Sequence, residues 1–589
     1  MARPPRSFIA VFVFVPVLVL VIGFLVHREQ ATKRPEQLAL TTSGLVEMCL
    51  TCHTGEHLDG AHDRLVVGCS PCHLGDPLAI DKGKAHAGMV LNPGDLRVVA
   101  KTCAVEGCHP ADQHRVKNSL MATNRGILST LLYYWGEREH QHADISVEQL
   151  LKSGETSLAL DYYRKLCATC HLWKQKNDLP GAPAFFNEKG GGCSACHYVM
   201  PEGVPRNTVT TEIPALTAEE KKNRPHPRVV KQVPEENCIR CHNRSGRIGL
   251  SYTGIFEAEG YGTPYEKGGQ SSQRLAGDRF YLKIAPDIHH VKKMACIDCH
   301  TRDEIMGDGT NYAHYEEAVE ISCQSCHDKN PGKTRRGKSL TNVSTEAGQA
   351  VLTGKIDGQE RPLHLPNPLA CASTVHKRLS CVACHSTWVP QCYGCHVKRD
   401  KRETHLDKLT LQETPGWWEE GRSYIRYEKP MLAVWADQVV IVTPGCQDLV
   451  TLIDAKGASE GGFNRFTMAA INPHTVQAKG RTCKECHASA KTVGLGEGTV
   501  VKKEGKWQFF PVDRGVENDA GRTPGFDNFV TIEGTALQHG SRPDLRPFNG
   551  DELKRILRVG LCLDCHPRAD DPSYRDYDRQ RPCPVFKEP

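Results

Sequence analysis

The sequence predicts a mostly irregular and α-helical body, interrupted by a small β-rich module and preceded by an N-terminal transmembrane helix. Three observations predict it. Short cysteine pairs, each followed at once by a histidine, recur twelve times along the 589 residues. An apolar, uncharged run spans Phe8 to Val26. Residues 397–482 contain no such pair, and parts of them alternate as strands do.

Eleven of the repeats read Cys-x-x-Cys-His. They are Cys49 and Cys52 with His53, Cys69 and Cys72 with His73, Cys167 and Cys170 with His171, Cys193 and Cys196 with His197, Cys238 and Cys241 with His242, and Cys296 and Cys299 with His300. The rest are Cys323 and Cys326 with His327, Cys381 and Cys384 with His385, Cys392 and Cys395 with His396, Cys483 and Cys486 with His487, and Cys562 and Cys565 with His566. A twelfth, Cys103 and Cys108 with His109, has four residues between its cysteines. The spacing fits covalent haem attachment. Two thiols reach the two vinyl groups on one porphyrin edge, and the next residue turns its imidazole under the ring to hold the iron as proximal ligand. Twelve haem c groups are therefore expected. Zinc ribbons also use cysteines two apart. They do not require a histidine after every second cysteine, whereas here histidine is 28 of 589 residues and follows all twelve pairs.

Fifteen further histidines are candidate distal ligands: His57, His62, His86, His114, His140, His142, His226, His289, His290, His314, His364, His376, His405, His474 and His539. Several stand just upstream of a motif, as His62 does before Cys69, His289 and His290 before Cys296, and His376 before Cys381. The plainer reading of any one is a surface or propionate-bonded histidine. Supply is uneven, because only His226 lies between Cys167 and Cys296. An iron without a second histidine is expected, if anywhere, around Cys167, Cys193 and Cys238. No catalytic residue is assigned. Cys371, Cys446 and Cys583 lie outside the motifs. They read as disulfide partners or inert thiols, with an axial thiolate as the alternative.

The formal charge is +5. A ferric haem with ionised propionates carries roughly −1, so twelve bring the loaded protein to roughly −7. The Lys/Arg excess then reads as counter-charge for propionates, and nucleic-acid binding is set aside. Phe8–Val26 is long enough to cross a bilayer. A cleaved signal peptide competes, but His27-Arg28-Glu29-Gln30 makes a poor cleavage site. The expected location is extracytoplasmic, on the periplasmic side, with the chain anchored to the inner membrane.

Motif spacing divides the chain into an anchor (1–34), a trihaem region (35–150), a seven-haem region (151–402), a haem-free β-rich module (403–480) and a two-haem region (481–589). Val116, Leu120, Ile127, Leu131 and Trp135 recur at helical spacing, and Asp161–Leu166 reads as the end of a helix entering Cys167. Ser423–Trp435 and Gln438–Ile453 read as strands with a turn at Asp454–Gly457. Gly498–Val512 reads as a hairpin turning at Glu504-Gly505.

The pattern as a whole resembles the large multihaem c-type cytochromes of anaerobic respiratory electron-transfer chains. The resemblance rests on the motifs above, on the histidines four to six residues ahead of several of them, and on a Cys-x4-Cys-His variant like that of tetrahaem cytochromes of sulfate reducers. It implies stacked and perpendicular haem pairs that pass electrons between a membrane quinol-oxidising complex, or other cytochromes, and a terminal acceptor. The strand-like stretch after His396 departs from compact all-haem cytochromes. The alternative is a terminal reductase of nitrite, hydroxylamine, sulfite, tetrathionate or a metal, with one open-coordinate haem. No Cys-x-x-Cys-Lys motif of the pentahaem nitrite reductases is present. A filament subunit is the third reading.

Intact mass of the purified protein, set against its 65.3 kDa polypeptide, is expected to show twelve attached haems. Eleven would mean that the Cys103–Cys108 spacing is not used.

Overall fold

β-Branched and aromatic residues crowd the chain from Val389 to Ala470, and they build a six-stranded mixed sheet. Its strands are β1 (Val389–Asp407), β2 (Gln412–Glu428), β3 (Met431–Trp435), β4 (Gln438–Ile453) and β5 (Ser459–Ala470). A separate hairpin pairs β6 (Gly498–Lys503) with β7 (Lys506–Pro511), and β8 (His539–Gly540) completes the sheet. The order is β2-β1-β4-β5-β8, with β3 paired to β4. β1 and β4 run parallel, as do β5 and β8; the other neighbours are antiparallel. Ala436 and Asp437, at φ 45° and 66°, make the two-residue turn between β3 and β4. Glu504 and Gly505, at 51° and 74°, do the same between β6 and β7. Two successive positive φ values match the right-handed twist of the strands. After β4, Asp454 Oδ1 accepts the N–H groups of Lys456 and Ala458.

The structure is a computed structural model that describes residues 21–22, 38–55, 60–174, 191–204, 208–210, 217, 219–220, 223, 225–258, 273–276, 279–346, 348–366, 376–568 and 571. The helical stripe from Val116 to Trp135 forms three pieces: α1 (Pro110–Asn118), α2 (Leu120–Thr123) and α3 (Arg125–Tyr134). Asn124 separates the last two at φ 49° and donates from Nδ2 to the Tyr163 hydroxyl and the Cys170 carbonyl. Helix α4 (Leu158–Tyr162), capped by Ser157, passes into a π-helical turn at Tyr163–Cys167. Near the C-terminus, α5 (Gly550–Cys562) ends on the first cysteine of the last motif. A reciprocal cap between Asn549 and Glu552 starts it.

Alternation puts Leu432, Val434 and Ile441 in one core and Met431, Ala433 and Val442 in another. The first core also holds Ala383, within the Cys381 motif, and Leu553 and Leu557 of α5. Burying a leucine contributes about 1.5–3 kcal/mol, so this core fixes two motif-bearing segments to one sheet.

The chain divides into two compact units. One comprises Met1–Pro110, Tyr198–Val204 and Leu216–Val230; the other comprises Ala111–His197, Pro205–Ala215 and Lys231–Pro589. The first carries the Cys49, Cys69 and Cys103 motifs, and the second carries the other nine and the sheet.

Two expectations are corrected. The body is not mostly irregular and α-helical with only a small β-rich module: helix and strand each make up about 25%, and the mixed sheet is large. The strands begin at Val389, ahead of the motif residues that hide their alternation, so Cys392–His396 lies within β1. Among the described residues no helix is long and apolar enough to cross a membrane. The N-terminal transmembrane helix, and the membrane-anchored extracytoplasmic location drawn from it, are therefore not supported. Apart from Val21 and Ile22, the Phe8–Val26 run lies outside the described residues.

Glu552 joins α5 to Arg546 at 2.7 Å and to Arg378 at 3.2 Å. Against the burial that raises it, Arg546, the Asn549 N–H and Arg378 hold its carboxyl down to about 2. The folded value lies below the unfolded one, so this stabilisation is full above the ordinary glutamate value of about 4.3 and fades as pH falls toward 2. Glu552→Gln is expected to cost about 1–3 kcal/mol at pH 7. Urea melts of parent and variant should converge between pH 5 and pH 2; an equal gap at both ends would refute the assignment.

Candidate metal centres

A cysteine pair and a histidine serve one porphyrin only if the local backbone brings them together. In eight motifs the histidine N–H returns to the carbonyl of the first cysteine, from His53 to Cys49 at 2.9 Å to His566 to Cys562 at 2.8 Å. The Cys103 motif closes the same ring, His109 N–H to Cys103 O at 3.0 Å, although it has two more residues. Gly107, at φ 85°, takes up the extra length. The Cys392 motif is instead extended within β1 and kinked at Gly394 with φ 53°.

Among the described residues, His53, His73, His109, His300, His327 and His487 each face a histidine from outside the motifs. Ring centroids lie 6.1 Å apart for His53 and His86, 6.2 Å for His109 and His62, and 5.8 Å for His73 and His226. The values are 6.2 Å for His300 and His474, 6.1 Å for His327 and His289, and 6.1 Å for His487 and His376. An ion bound at about 2 Å by each of two imidazoles separates their centroids by about 6 Å.

Hydrogen bonds on the far side of the rings decide what the facing nitrogens are. Among motif histidines, Nδ1–H donates from His73 to Val90 O at 2.8 Å, from His327 to His364 O at 2.7 Å, and from His385 to Gln477 O at 3.0 Å. It donates from His487 to Ile556 O at 3.0 Å, from His300 to Glu304 Oε2 at 2.7 Å, and from His566 to Asp571 Oδ2 at 3.0 Å. Among the others, His86 donates to Lys82 O, His226 to Pro227 O, His289 to Asp287 Oδ1 and His474 to Asn472 O. A neutral imidazole that donates from Nδ1 presents a lone pair at Nε2. Burial lowers His73, His376, His474 and His487 below the ordinary histidine value, which favours that neutral form. In three pairs (His73 with His226, His300 with His474, His327 with His289) both rings are fixed this way. The Nε2 atoms of His73 and His226 stand 3.5 Å apart. Two lone pairs at that distance repel unless a proton or a metal ion lies between them.

The other candidates are placed differently. His142 and His314 face each other at 5.1 Å, and His314 Nε2–H donates to Gln141 O. His405 stacks on Trp417 at 4.4 Å and accepts the Trp418 N–H. His290 lies 3.7 Å from Glu235, His114 contacts Asn118, and His364 supplies only its carbonyl to His327. His140 and His539 are exposed. His57, Cys371 and Cys583 lie outside the described residues. His226, the sequence's lone supply for the Cys167–Cys238 stretch, instead faces His73.

His171 departs from the rule, since its Nδ1 accepts the Trp173 N–H at 3.1 Å. Around its motif, Asp161 takes bonds from Arg399 Nε at 2.8 Å and Trp418 Nε1 at 2.9 Å, and Arg164 pairs with Asp407 at 3.1 Å. These ties bolt the π-turn to β1 and β2. Cys446, which is in no disulfide, lies on β4 two residues before Asp448, the register partner of Cys395 on β1. Burial pushes the Asp448 carboxyl up to about 6, and Trp135 Nε1 donates to it at 3.2 Å. Sequence reasoning missed the ring-fixing acceptors. Two had a local signal: Glu304 four residues after His300, and Asp287 two before His289.

The donor set fits haem. A porphyrin leaves its iron two axial positions, and the facing pairs offer two imidazoles each. Among the described residues no group of three or more His, Cys, Asp or Glu side chains could hold a metal ion unaided. Arg481, between the Cys381 and Cys483 motifs, has Nε and Nη1 buried without a hydrogen-bond partner, a cation suited to a propionate. No family model, no curated protein and no solved structure matches the chain.

Helix α5 runs so close to the Cys483 motif that a Cβ on Gly560 would lie 2.3 Å from His487 O. Glycine to alanine in a helix ordinarily gains about 1 kcal/mol. Here Gly560→Ala is expected to lose about 1–3 kcal/mol by overpacking. Thermal melting gives the sign, and a stabilised variant would refute this contact.

Proposed function

We propose that the protein is a multihaem c-type cytochrome that carries twelve covalent haems and moves electrons along them in respiration. The cysteine pairs hold the porphyrins as thioethers, and the twelve motif histidines hold the irons from one side. Haem iron supplies reversible one-electron oxidation and reduction. The observation that carries the reading is the set of facing imidazoles whose Nδ1 atoms are tied back, so that two lone pairs meet. Two neutral imidazoles keep iron six-coordinate and leave no position for a substrate. Fixed rings also keep the ligand set unchanged on reduction, which suits transfer. Partners on this reading are one-electron donors and acceptors, such as another cytochrome or a quinol-oxidising complex.

A second reading, a reductase, is favoured by one place only. At Cys167–His171 the histidine accepts at Nδ1, and Trp135, in ring contact with Tyr162 five residues before the motif, donates to Asp448. A protonatable group beside an open iron is what small-molecule reduction requires.

Carbon monoxide added to the reduced protein is expected to leave nearly all of the Soret absorbance unchanged. His474→Ala should keep twelve haems by mass and gain one that is high-spin and binds carbon monoxide. A polypeptide without haem, or carbon monoxide binding at most sites of the parent, overturns the cytochrome reading. A shift worth one haem in the parent that vanishes in Cys167→Ala/Cys170→Ala, with turnover of nitrite, hydroxylamine, sulfite or tetrathionate, selects the reductase.

A further inference from the structure

We infer that electrons cross the larger unit along one run of seven motifs, in the order Cys193, Cys238, Cys296, Cys323, Cys381, Cys483, Cys562. The Cys392 motif, next after Cys381 in sequence, lies off that run and is grouped with Cys167. The inference rests on the cytochrome reading and adds the order of the stations.

Each link is a contact between motifs. Asn237, the residue before Cys238, donates from Nδ2 to Cys196 O at 2.7 Å. The turn Glu235–Ile239, which carries Cys238, packs against the turn Cys296–Cys299, and His290, on the approach to Cys296, lies 3.7 Å from Glu235. Glu304, which takes the His300 Nδ1–H, accepts the N–H of Ile321 two residues before Cys323, and His289, on the approach to Cys296, faces His327. Gln324 Nε2, next to Cys323 in the chain, reaches Cys381 Sγ at 3.7 Å. From the Cys381 motif the next step is to Cys483. Arg481 N–H donates to Cys384 O at 2.7 Å, His385 donates to Gln477 O, and His376, five residues before Cys381, faces His487. The last step joins the Cys483 motif to α5, which ends on Cys562: Ile556 O takes the His487 Nδ1–H, and Gly560 presses on His487 O. A motif's cysteines carry one edge of its porphyrin, so motif segments in contact make neighbours of the groups they carry.

The Cys392 motif is separated from this run by its own backbone. Residues 386–388 lead directly into β1. An extended chain rises about 3.3 Å per residue, so seven extended steps from His385 to Cys392 cover about 23 Å. Fully buried Trp388 fills the interval, with Nε1 on Ala285 O at 3.1 Å. At the far end the segment that delivers Cys167 is tied to β1, which carries Cys392: Asp161 accepts the Arg399 Nε–H at 2.8 Å and Arg164 pairs with Asp407 at 3.1 Å. Those two motifs form a branch.

The test injects one electron at the Cys562 end. Lys554, on α5 with a 63% exposed side chain, is replaced by cysteine (Lys554→Cys) in the full haem-loaded protein, and a photosensitiser is attached. In this parent the flash-injected electron should spread over several haems. Removing the Cys483 station (Cys483→Ala/Cys486→Ala) should strand it on one haem. Removing Cys392 (Cys392→Ala/Cys395→Ala) should leave the spreading rate within twofold. Should a deletion fail to mature, His376→Met and His396→Met keep all cysteines, and each raises one haem's potential through a methionine ligand. The first should trap the electron before it spreads and the second only afterwards, as read from the methionine-ligand band. Arrest by the Cys392 deletion, spreading that survives the Cys483 deletion, or the reverse trapping order overturns the route. A parent without haem by intact mass overturns the cytochrome reading instead.

Discussion

An imidazole has two nitrogens, and tying one to an acceptor fixes both the direction and the lone pair of the other. That constraint organises much of this protein. Val90 and Pro227 hold the rings of His73 and His226, Gln477 holds His385, Ile556 holds His487, and Asn472 holds His474. These acceptors are backbone carbonyls, mostly far in sequence from the ring they fix. Irregular chain rich in glycine and proline leaves carbonyls unused by ladders, so the loops between motifs supply what helices and sheets would consume. Where a side chain serves instead, as with Glu304 and Asp287, it is itself held: Glu304 Oε1 accepts the N–H groups of Glu320 and Ile321, and Asp287 Oδ2 accepts that of Val476.

The sheet answers a different need. Loops cannot hold motifs steady without a packed body behind them. The core on Leu432, Val434 and Ile441 gathers Ala383, from inside one motif, and Leu553 and Leu557, from the helix that enters another. A second set of ties, Asp161 with Arg399 and Arg164 with Asp407, holds the turn before Cys167 against β1 and β2. Buried pairs of this kind add little net stability, but breaking one leaves a charge unpaired. Their effect here is positional: they fix where a π-turn delivers its cysteine.

The cysteine–histidine repeats and the hairpin at Glu504-Gly505 could be read from sequence because both are local. The helix expected over Val116–Trp135 failed at Asn124, where a side chain bonded to Tyr163 and Cys170 outweighs propensity. The sheet was underestimated because β1 opens just ahead of a motif and runs through it, and cysteine, glycine and histidine mask its alternation. Facing partners were not legible at all. His226 and His73 are 153 residues apart, and no spacing rule reaches that far. The nearest upstream histidine was also a poor guide: His62 faces His109, His289 faces His327, and His376 faces His487.

Those three pairings share a logic. A segment that carries one motif's cysteines also carries the imidazole that faces another motif's histidine. Had each upstream histidine faced the ring of its own motif, every site would close on itself and could form alone. Exchanged histidines make each site complete only when its neighbour is in place. Misplacing the Cys381 segment displaces His376 from His487 and withdraws Arg481 N–H from Cys384 O, so the error passes to the Cys483 site. It passes along the run of spatial contacts rather than along the sequence. In a chain with limited core per motif, that mutual dependence supplies cooperativity that burial alone would not.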